Sequence, residues 1–272
     1  MAANARFQVH AVARTDVGCV RSANEDFLLV ANLGEGVRIE RSGHLSFSSG
    51  PCGALFAVAD GMGGAAAGET ASRLCLRSLY HDVQENVRML GWASDRALER
   101  ILIEAVGNAN HRVYDMARRD PALEGMGTTL TAVLQSSGRL FIGQVGDSRA
   151  YMLREGEIRQ LTRDQSLVAQ LVEEGRLTEA EARRHPEKNI LLQAVGVRPR
   201  VELALRSATV QPGDILLLCS DGLHTQMTAD EMLDIVLDSR GPQDACAALV
   251  DLANDRGGPD NITAILVQFV PE

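Results

Sequence analysis

Four apolar stretches of this sequence each carry an aspartate and a glycine at one end. Asp60 follows LFAVA, Asp147 follows IGQVG, Asp221 follows LLLCS, and Asp260 comes just before NITAILV. A carboxylate at the end of a buried strand is costly unless hydrogen bonds or cations compensate it. A single Asp-Gly pair predicts only a tight turn, but four such strand ends in one chain indicate a shared site.

Carboxylates gathered in this way would repel one another unless cations neutralised them. Glu25 and Asp26, just before FLLV, add two more acidic groups. No histidine or cysteine occurs at a matching spacing, and oxygen-only ligands favour a hard divalent ion, Mg²⁺ or Mn²⁺, over zinc. We therefore predict that the six histidines, His224 among them, are surface or packing residues rather than metal ligands.

The composition is that of a globular protein, with 45% hydrophobic and 23% charged residues over 272 positions. The formal net charge of −9 disfavours nucleic acid and anionic membranes as partners. No apolar stretch is long enough to cross a bilayer, and MAANARFQVH lacks a signal-peptide core, so we expect a cytoplasmic protein. Five scattered cysteines without a C-x-x-C pair suit a reducing compartment. Since no linker or repeat interrupts the chain, we expect one domain over residues 1–272.

Local patterns predict mostly strands, with helices in a few blocks. Strands are predicted at RFQVHAVA, DFLLVANL and LFAVA, and in a meander from TTLTAVLQ to EIRQLT. Apolar periodicity predicts helices over about residues 67–87 and from a cap at Ser94 or Asp95 to near residue 118. Capping boxes predict two more helix starts, at Thr178 and Thr228. Residues 32–54 predict a loose hairpin or an insertion.

The order of eight motifs resembles one protein family, the metal-dependent protein Ser/Thr phosphatases of type 2C in their bacterial form. The likeness runs from about residue 9 to residue 269. It rests on TDVGCVRSANED, FAVADGMGGAAAGE, MGTTLTAVL, QVGDSRAY, LTRDQSLVAQLVEEGRLT, HPEKNILLQAVG, GDILLLCSDGL and GGPDNIT. The resemblance implies an α+β fold, a central antiparallel β-sandwich flanked by α-helices on both sides in four αββα layers.

The resemblance also implies a metal site with two core ions. Asp60 would bridge both ions, and the backbone carbonyl of Gly61 would bind one of them. Asp221 and Asp260 would hold the second ion, and Asp147 would join Asp221 at a weaker third site. Two ions that share a carboxylate can lower the pKa of a bridging water, and the resulting hydroxide attacks phosphorus in line.

Three further residues take roles from the same resemblance. Glu25 and Asp26 match an acidic pair that binds metal directly or through water, and Arg21 matches the arginine that grips the substrate phosphate. A guanidinium offers a planar fork of donors that suits two phosphate oxygens. Many eukaryotic members carry histidine directly after the Asp-Gly pair, as a candidate general acid, whereas this chain has Met62.

The function that the resemblance implies is hydrolysis of phosphoserine and phosphothreonine in proteins. The partners would be phosphorylated proteins and a bacterial Ser/Thr kinase that the enzyme opposes, and we expect a monomer. Residues 164–189 match the mobile flap of the family, beside the active site. The five cysteines lack the C-x₅-R loop of cysteine phosphatases.

Three alternatives stand beside this interpretation. A pseudo-phosphatase that serves as a binding module would have lost metal ligands, yet all are present in the sequence. Dinucleotide binding is suggested by GMGGAA, but Asp60 would repel a pyrophosphate, and the partner acid Asp82 lies in a helical pattern. A small phosphorylated metabolite is the third, although the sequence shows no dedicated pocket for one.

Overall fold

The computed structural model describes residues 7–91 and 94–272, which form two antiparallel sheets and seven α-helices. The strands, in chain order, are β1 (Phe7–Asp16), β2 (Asp26–Asn32), β3 (Val37–Ile39), β4 (Gly43–Ser48), β5 (Ala54–Met62), β6 (Gly127–Thr128), β7 (Leu130–Ser136), β8 (Arg139–Val145), β9 (Arg149–Arg154), β10 (Glu157–Gln160), β11 (Ala204–Thr209), β12 (Ile215–Cys219) and β13 (Ile262–Pro271). The helices are α1 (Ala65–Leu90), α2 (Asp95–Arg119), α3 (Leu167–Glu173), α4 (Glu179–Ala182), α5 (Asp221–His224), α6 (Ala229–Asp238) and α7 (Pro242–Asp255).

The sheets stack face to face with helices on both outer sides. One sheet runs β10-β9-β12-β13-β1-β4, and the other runs β11-β8-β7-β5-β2-β3 with β6 paired to β5. Apolar side chains such as Phe56, Val58 and Ile265 fill the space between the sheets. Helices α1 and α2 cover the second sheet, and α5, α6 and α7 cover the first. The predicted αββα sandwich is confirmed.

Strand β5 explains why the run LFAVA is apolar throughout rather than alternating. Leu55, Ala57 and Ala59 face the helices, while Phe56 and Val58 face the other sheet. Both faces of a central, covered strand are buried, so neither face carries polar residues. The strand therefore leads from the middle of the core directly to Asp60.

The predicted helix starts are confirmed by their caps. The Ser94 hydroxyl accepts a hydrogen bond from the backbone of Ala97, and α2 begins at the next residue, Asp95. Thr178 and Thr228 each form a complete capping box, with Glu181 and Glu231. Such boxes satisfy two backbone donors that the helix itself leaves free.

The prediction for residues 32–54 is wrong in one respect, because its two strands do not form a hairpin. Strand β3 pairs with β2, with Val30 opposite Ile39, whereas β4 pairs with β1, with Val9 opposite Phe47. The segment therefore crosses from one sheet to the other. Within the described ranges, none of the helices has the length and hydropathy needed to cross a membrane.

Candidate metal centre

The predicted acidic residues come together at one end of the sandwich, where strands of both sheets begin or end. Asp26 opens β2 directly opposite Asp60 near the end of β5. Asp221 begins α5 just after β12, and Asp260 lies in the turn before β13. Asp147 lies in the turn between β8 and β9. The carboxylate cluster, as we call these five residues, therefore bridges the two sheets.

Burial and the charges of neighbouring carboxylates raise the pKa of four members of the cluster, Asp26, Asp60, Asp147 and Asp221. The pKa of Asp60 lies well above its ordinary value because of burial first and then the charges of neighbouring aspartates. Burial and the charge of Asp221 raise the pKa of Asp147 to about 8. Burial raises the pKa of Asp26 to about 7, although hydrogen bonds from Ser220 and Thr263 oppose the shift.

The pKa of Asp221 is also raised by burial and by a neighbouring carboxylate. Burial, with the charge of Asp260 second, raises the pKa of Asp221 to about 6. Repulsion of this kind is relieved when divalent cations bind, because each cation compensates two negative charges. The site is therefore unfavourable as a set of ionised groups alone.

Two buried carboxylate oxygens in the cluster have no hydrogen-bond partner. They are Asp26 Oδ1 and Asp221 Oδ1. Buried polar atoms are almost always paired, so an orphaned oxygen in a native protein requires an explanation. Among the described residues, no three His, Cys, Asp or Glu side chains already surround one point as an ion would require. The carboxylates are thus gathered without being closed around a centre, and their free lone pairs and repulsion fit Mg²⁺ or Mn²⁺.

Glycines allow α1 to lie directly against this end of the sandwich. A Cβ at Gly68 would lie 1.8 Å from Glu25 Oε2, and one at Gly61 would lie 2.2 Å from the carbonyl oxygen of Gly68. The Gly61 amide also donates to the Glu25 carbonyl at 3.2 Å. Gly61 and Gly68 therefore make room for Glu25, and that carboxylate would repel a pyrophosphate at this position. Burial raises the pKa of Glu25, and Arg21 opposes the rise.

Arg21 lies beside the cluster, as the resemblance implies. Its guanidinium donates to Asp260 Oδ2 at 2.7 Å, and 47% of its side chain is exposed. The other oxygen of Asp260 accepts from the Asn261 amide at 2.9 Å. The exposed part of the fork is available to a phosphate that approaches from solvent.

Sequence reasoning missed the neutral residues that hold the acidic ones. The buried Asn261 donates to the carbonyls of Val17 and Ala23, both at 2.9 Å, and accepts from the Glu25 amide at 2.8 Å. It therefore fixes the loop that carries Arg21. Asn261 stands in GGPDNIT, directly after a predicted ligand, and that adjacency was the only signal for it.

Two more neutral contacts fix the aspartates themselves. Ser220 donates to Asp26 Oδ2 at 2.7 Å. The Asp60 amide donates to Thr129 Oγ1 at 3.0 Å. A hydroxyl orients its partner without adding a positive charge, so it does not compete with a cation for the carboxylate.

His224 is a packing residue with a specific contact. The ring is buried, and burial holds the pKa of His224 well below its ordinary value. A neutral ring with the proton on Nε2 donates to the Asp147 carbonyl oxygen, 3.1 Å away. The Asp147 turn is also tied to residue 165, since the Gly146 amide donates to Gln165 Oε1 at 2.8 Å. Both contacts position the turn.

The segment predicted as a flap contains α3 and α4, neither of which buries a side chain completely. A cavity of about 580 Å³ separates this segment from α5. Its lining includes Asp147, Asp221 and Lys188. The flap segment thus borders the same cluster.

Comparisons with known proteins connect this geometry to one family. The profile of the family Protein phosphatase 2C matches residues 42–255. A protein of Listeria welshimeri named "Serine/threonine phosphatase stp" is 37% identical over 260 residues, which cover 96% of each chain. A protein of Mycobacterium tuberculosis named "Serine/threonine protein phosphatase PstP" is 37% identical over 95% of this chain and 44% of its own length.

Solved structures agree in fold along nearly the whole chain. The Mycobacterium tuberculosis phosphatase PstP/Ppp superposes with a TM-score of 0.80 at 36% identity, covering 97% of this chain and 99% of that one. The PstP catalytic domain in complex with two manganese ions gives a TM-score of 0.79 at 34% identity, with the same coverage.

The raised pKa values predict how stability depends on pH without metal. In excess chelator, the folded protein keeps a proton on Asp147 up to about pH 8 and on Asp26 up to about pH 7, whereas the unfolded chain loses both near the ordinary value of 3.8. These groups contribute fully to stability below pH 3.8, the pKa of an aspartate in the unfolded chain. That contribution is lost as the pH rises through their pKa values in the folded protein. Asp60→Asn, which removes one charge, should raise Tm at pH 8 by about 2–4 °C, the shift given by about 1 kcal/mol.

Thermal unfolding at pH 5 and pH 8 in chelator measures this effect. The difference in Tm between Asp60→Asn and the unaltered protein should be larger at pH 8. Asp234→Asn, on the exposed face of α6, is the matched control and should leave Tm unchanged at both values. A difference that stays constant between the two pH values would show that Asp60 does not repel its neighbours.

Proposed function

The chain belongs to the protein phosphatase 2C family, and we propose that it is a Mg²⁺- or Mn²⁺-dependent protein phosphatase that hydrolyses phosphoserine and phosphothreonine. The observation that carries this proposal is the carboxylate cluster at the end of the sandwich, with two buried oxygens that have no hydrogen-bond partner. Like charges gathered in this way lower the stability of the fold unless cations bind to them. A cation site therefore explains why the acidic residues lie together.

Asp60, Asp221 and Asp260 are the residues that would hold two core ions, together with the carbonyl of Gly61. The charges of all four other members of the cluster raise the pKa of Asp60, as expected for the carboxylate that would be shared by both ions. When bound, such ions lower the pKa of water and neutralise charge on phosphoryl oxygens. The orphaned oxygen of Asp221 points to this residue as one whose coordination is incomplete without metal.

Glu25 and Asp26 support the same site from β2 and the turn before it. Asp26 is held by Ser220 at one oxygen and has the other free. Glu25 is fixed at its amide by Asn261 and lies against Gly68. We assign both to metal binding, direct or through water, with Asp147 as the ligand of a weaker third ion beside Asp221.

Arg21 would bind the substrate phosphate through its guanidinium fork. Its loop is fixed by Asn261, so the side chain is held near the cluster before substrate arrives. Binding exchanges the Asp260 contact for two phosphate oxygens. Asp260 then becomes available to a cation.

The proposal extends to the cellular partners. A phosphatase of phosphoserine and phosphothreonine requires a Ser/Thr kinase that makes its substrates, and such proteins and their kinase are the partners we propose. We further propose that residues 1–272 act as one catalytic domain, as a monomer in the cytoplasm.

Loss of a ligand should abolish turnover without unfolding the protein. Asp221→Asn should lower kcat for p-nitrophenyl phosphate by at least ~10²-fold at saturating Mn²⁺, because it removes a charge that holds the ions. Excess chelator should abolish activity of the unaltered protein. Asp234→Asn is the control and should retain full kcat. Activity that persists in chelator would refute the proposed function.

Removal of Arg21 should weaken phosphate binding. Arg21→Ala should raise KM for a phosphothreonine peptide by about tenfold, the loss expected for a charged contact that is partly exposed, with a smaller fall in kcat. Arg21→Lys keeps the charge but not the fork and should recover little of the loss. Arg14→Ala, which breaks an ion pair between β1 and Asp251 of α7, is the control. An unchanged KM in Arg21→Ala would remove this residue from the site.

Asp147 should matter most where the leaving group is poor. Asp147→Ala should slow hydrolysis of a phosphothreonine peptide more than that of p-nitrophenyl phosphate, whose leaving oxygen needs no proton. Met62 cannot supply that proton, so the Asp147 side of the cluster is its candidate source. The ratio of the two rates, variant against unaltered protein, is the measurement. Equal losses on both substrates would exclude a role at the leaving group.

A further inference from the structure

A small cavity of mixed character lies beside Met62 and outside every role assigned above. Its volume is about 170 Å³; the apolar part of its lining comes from Met62, Leu191, Leu192, Ala194 and Val197, and the polar part from Asn189, Gln193 and Arg198. An apolar cavity of about 150 Å³ can hold a benzene molecule. The space is therefore the size of one aliphatic or aromatic side chain.

The position of Met62 fixes the distance from this cavity to the proposed reaction centre. Met62 follows Asp60 by two residues in β5, so both side chains lie on the same face of the strand. Two residues of a strand span about 7 Å. An extended peptide that holds its phosphorylated residue at the cluster would therefore bring a residue one or two positions away over the cavity.

Gly127 lies directly against two residues of the cavity, Met62 and Val197. It pairs with Met62 across β5 and β6. A Cβ at this position would lie 2.7 Å from Met62 Cε and 2.7 Å from Val197 Cγ2. Only a residue without a side chain lets these two methyl groups stand beside each other above the strand.

The wall of the cavity is fixed to the rest of the fold. Thr128 and Val195 exchange two backbone hydrogen bonds, of 3.0 and 2.8 Å. The buried Asn110 of α2 accepts from the Gly196 amide at 2.8 Å and donates to the Arg198 carbonyl at 3.0 Å. A wall held from two sides keeps its shape in the absence of a ligand, which reduces the entropy lost on binding.

Two apolar residues that line the cavity are open to solvent. Leu192 is 40% exposed and Val197 is 47% exposed. Exposed apolar groups around a concave surface, continuous with a proposed active site, are typical of a binding subsite. We infer that this cavity binds an apolar side chain of the phosphoprotein substrate, one or two residues from the phosphorylated one, an inference that rests on the proposed function.

Kinetics on a peptide series tests the subsite. Phosphothreonine peptides would carry glycine, leucine or glutamate at each of the two positions on either side of the phosphothreonine, with p-nitrophenyl phosphate as a substrate that has no flanking residue. At one position, leucine should raise kcat/KM about tenfold over glycine in the unaltered protein, as burial of most of an apolar side chain provides. The activity on p-nitrophenyl phosphate should not depend on the subsite.

Variants at the rim separate the subsite from a general effect. Leu192→Ser combined with Val197→Ser should abolish the preference for leucine and leave hydrolysis of p-nitrophenyl phosphate unchanged. Val197→Lys should reverse the preference, so that glutamate becomes better than leucine at the same position. Leu237→Ser, at a leucine of α6 that is 57% exposed, is the control and should keep the preference.

The outcomes distinguish this inference from the proposed function. If p-nitrophenyl phosphate is hydrolysed but no position prefers leucine, or if the double variant keeps the preference, the subsite is overturned. If the unaltered protein is a dimer in sedimentation and the double variant is a monomer, the rim binds a second copy and the inference is wrong. If neither substrate type is hydrolysed in Mn²⁺, the proposed function fails and the subsite fails with it.

Discussion

Repulsion among carboxylates gathered at the end of the sandwich is the constraint that the rest of this fold must withstand. Asp26 and Asp60 face each other across two paired strands, and Asp221 and Asp260 approach from the other sheet. The charges of the four other members raise the pKa of Asp60, and repulsion of this kind favours separation of the ends of the two sheets. Three apolar layers oppose that separation: one between the sheets and one under each group of helices.

Asp26 and Asp60 are held by neutral groups, which do not compete with cations for the carboxylates. Asp26 is held by the Ser220 hydroxyl, and the backbone of Asp60 is held by Thr128 and Thr129. These donors and acceptors are neutral, so they set orientation without reducing the negative potential. A lysine or arginine paired to each carboxylate would have stabilised the metal-free protein, but it would also have competed with the ions. The same arrangement explains why removal of an acidic group can raise stability while it abolishes activity, a trade-off common at functional sites.

Much of the fold could be predicted because its signals are local. The capping boxes at Thr178 and Thr228 and the cap at Ser94 lie within four residues of the helix starts that they define. The run before Asp60 predicts a covered strand because both of its faces are apolar. The carboxylate cluster was predicted for a related reason, since each strand-end aspartate carries its own turn signal.

The features that sequence reasoning missed depend on contacts between distant segments. Residues 32–54 contain two short strands with clear turn signals, but nothing local indicates that the strands join different sheets. Asn261 acts on residues about 240 positions away, and His224 on the turn at Asp147. Gly127 shows no turn chemistry in the sequence, and the reason for a glycine there is visible only from the side chains of Met62 and Val197 that pack against it.

The register of β5 connects that cavity to the cluster, because Gly61 pairs with Thr128 and Met62 pairs with Gly127. The Thr128 hydroxyl donates to the Asp60 carbonyl at 2.9 Å, while its backbone is bonded to Val195, the residue after Ala194 in the lining of the cavity. The two-residue strand β6 therefore joins the strand that carries Asp60 to the segment that lines the cavity, a connection that only the paired backbones of distant segments reveal.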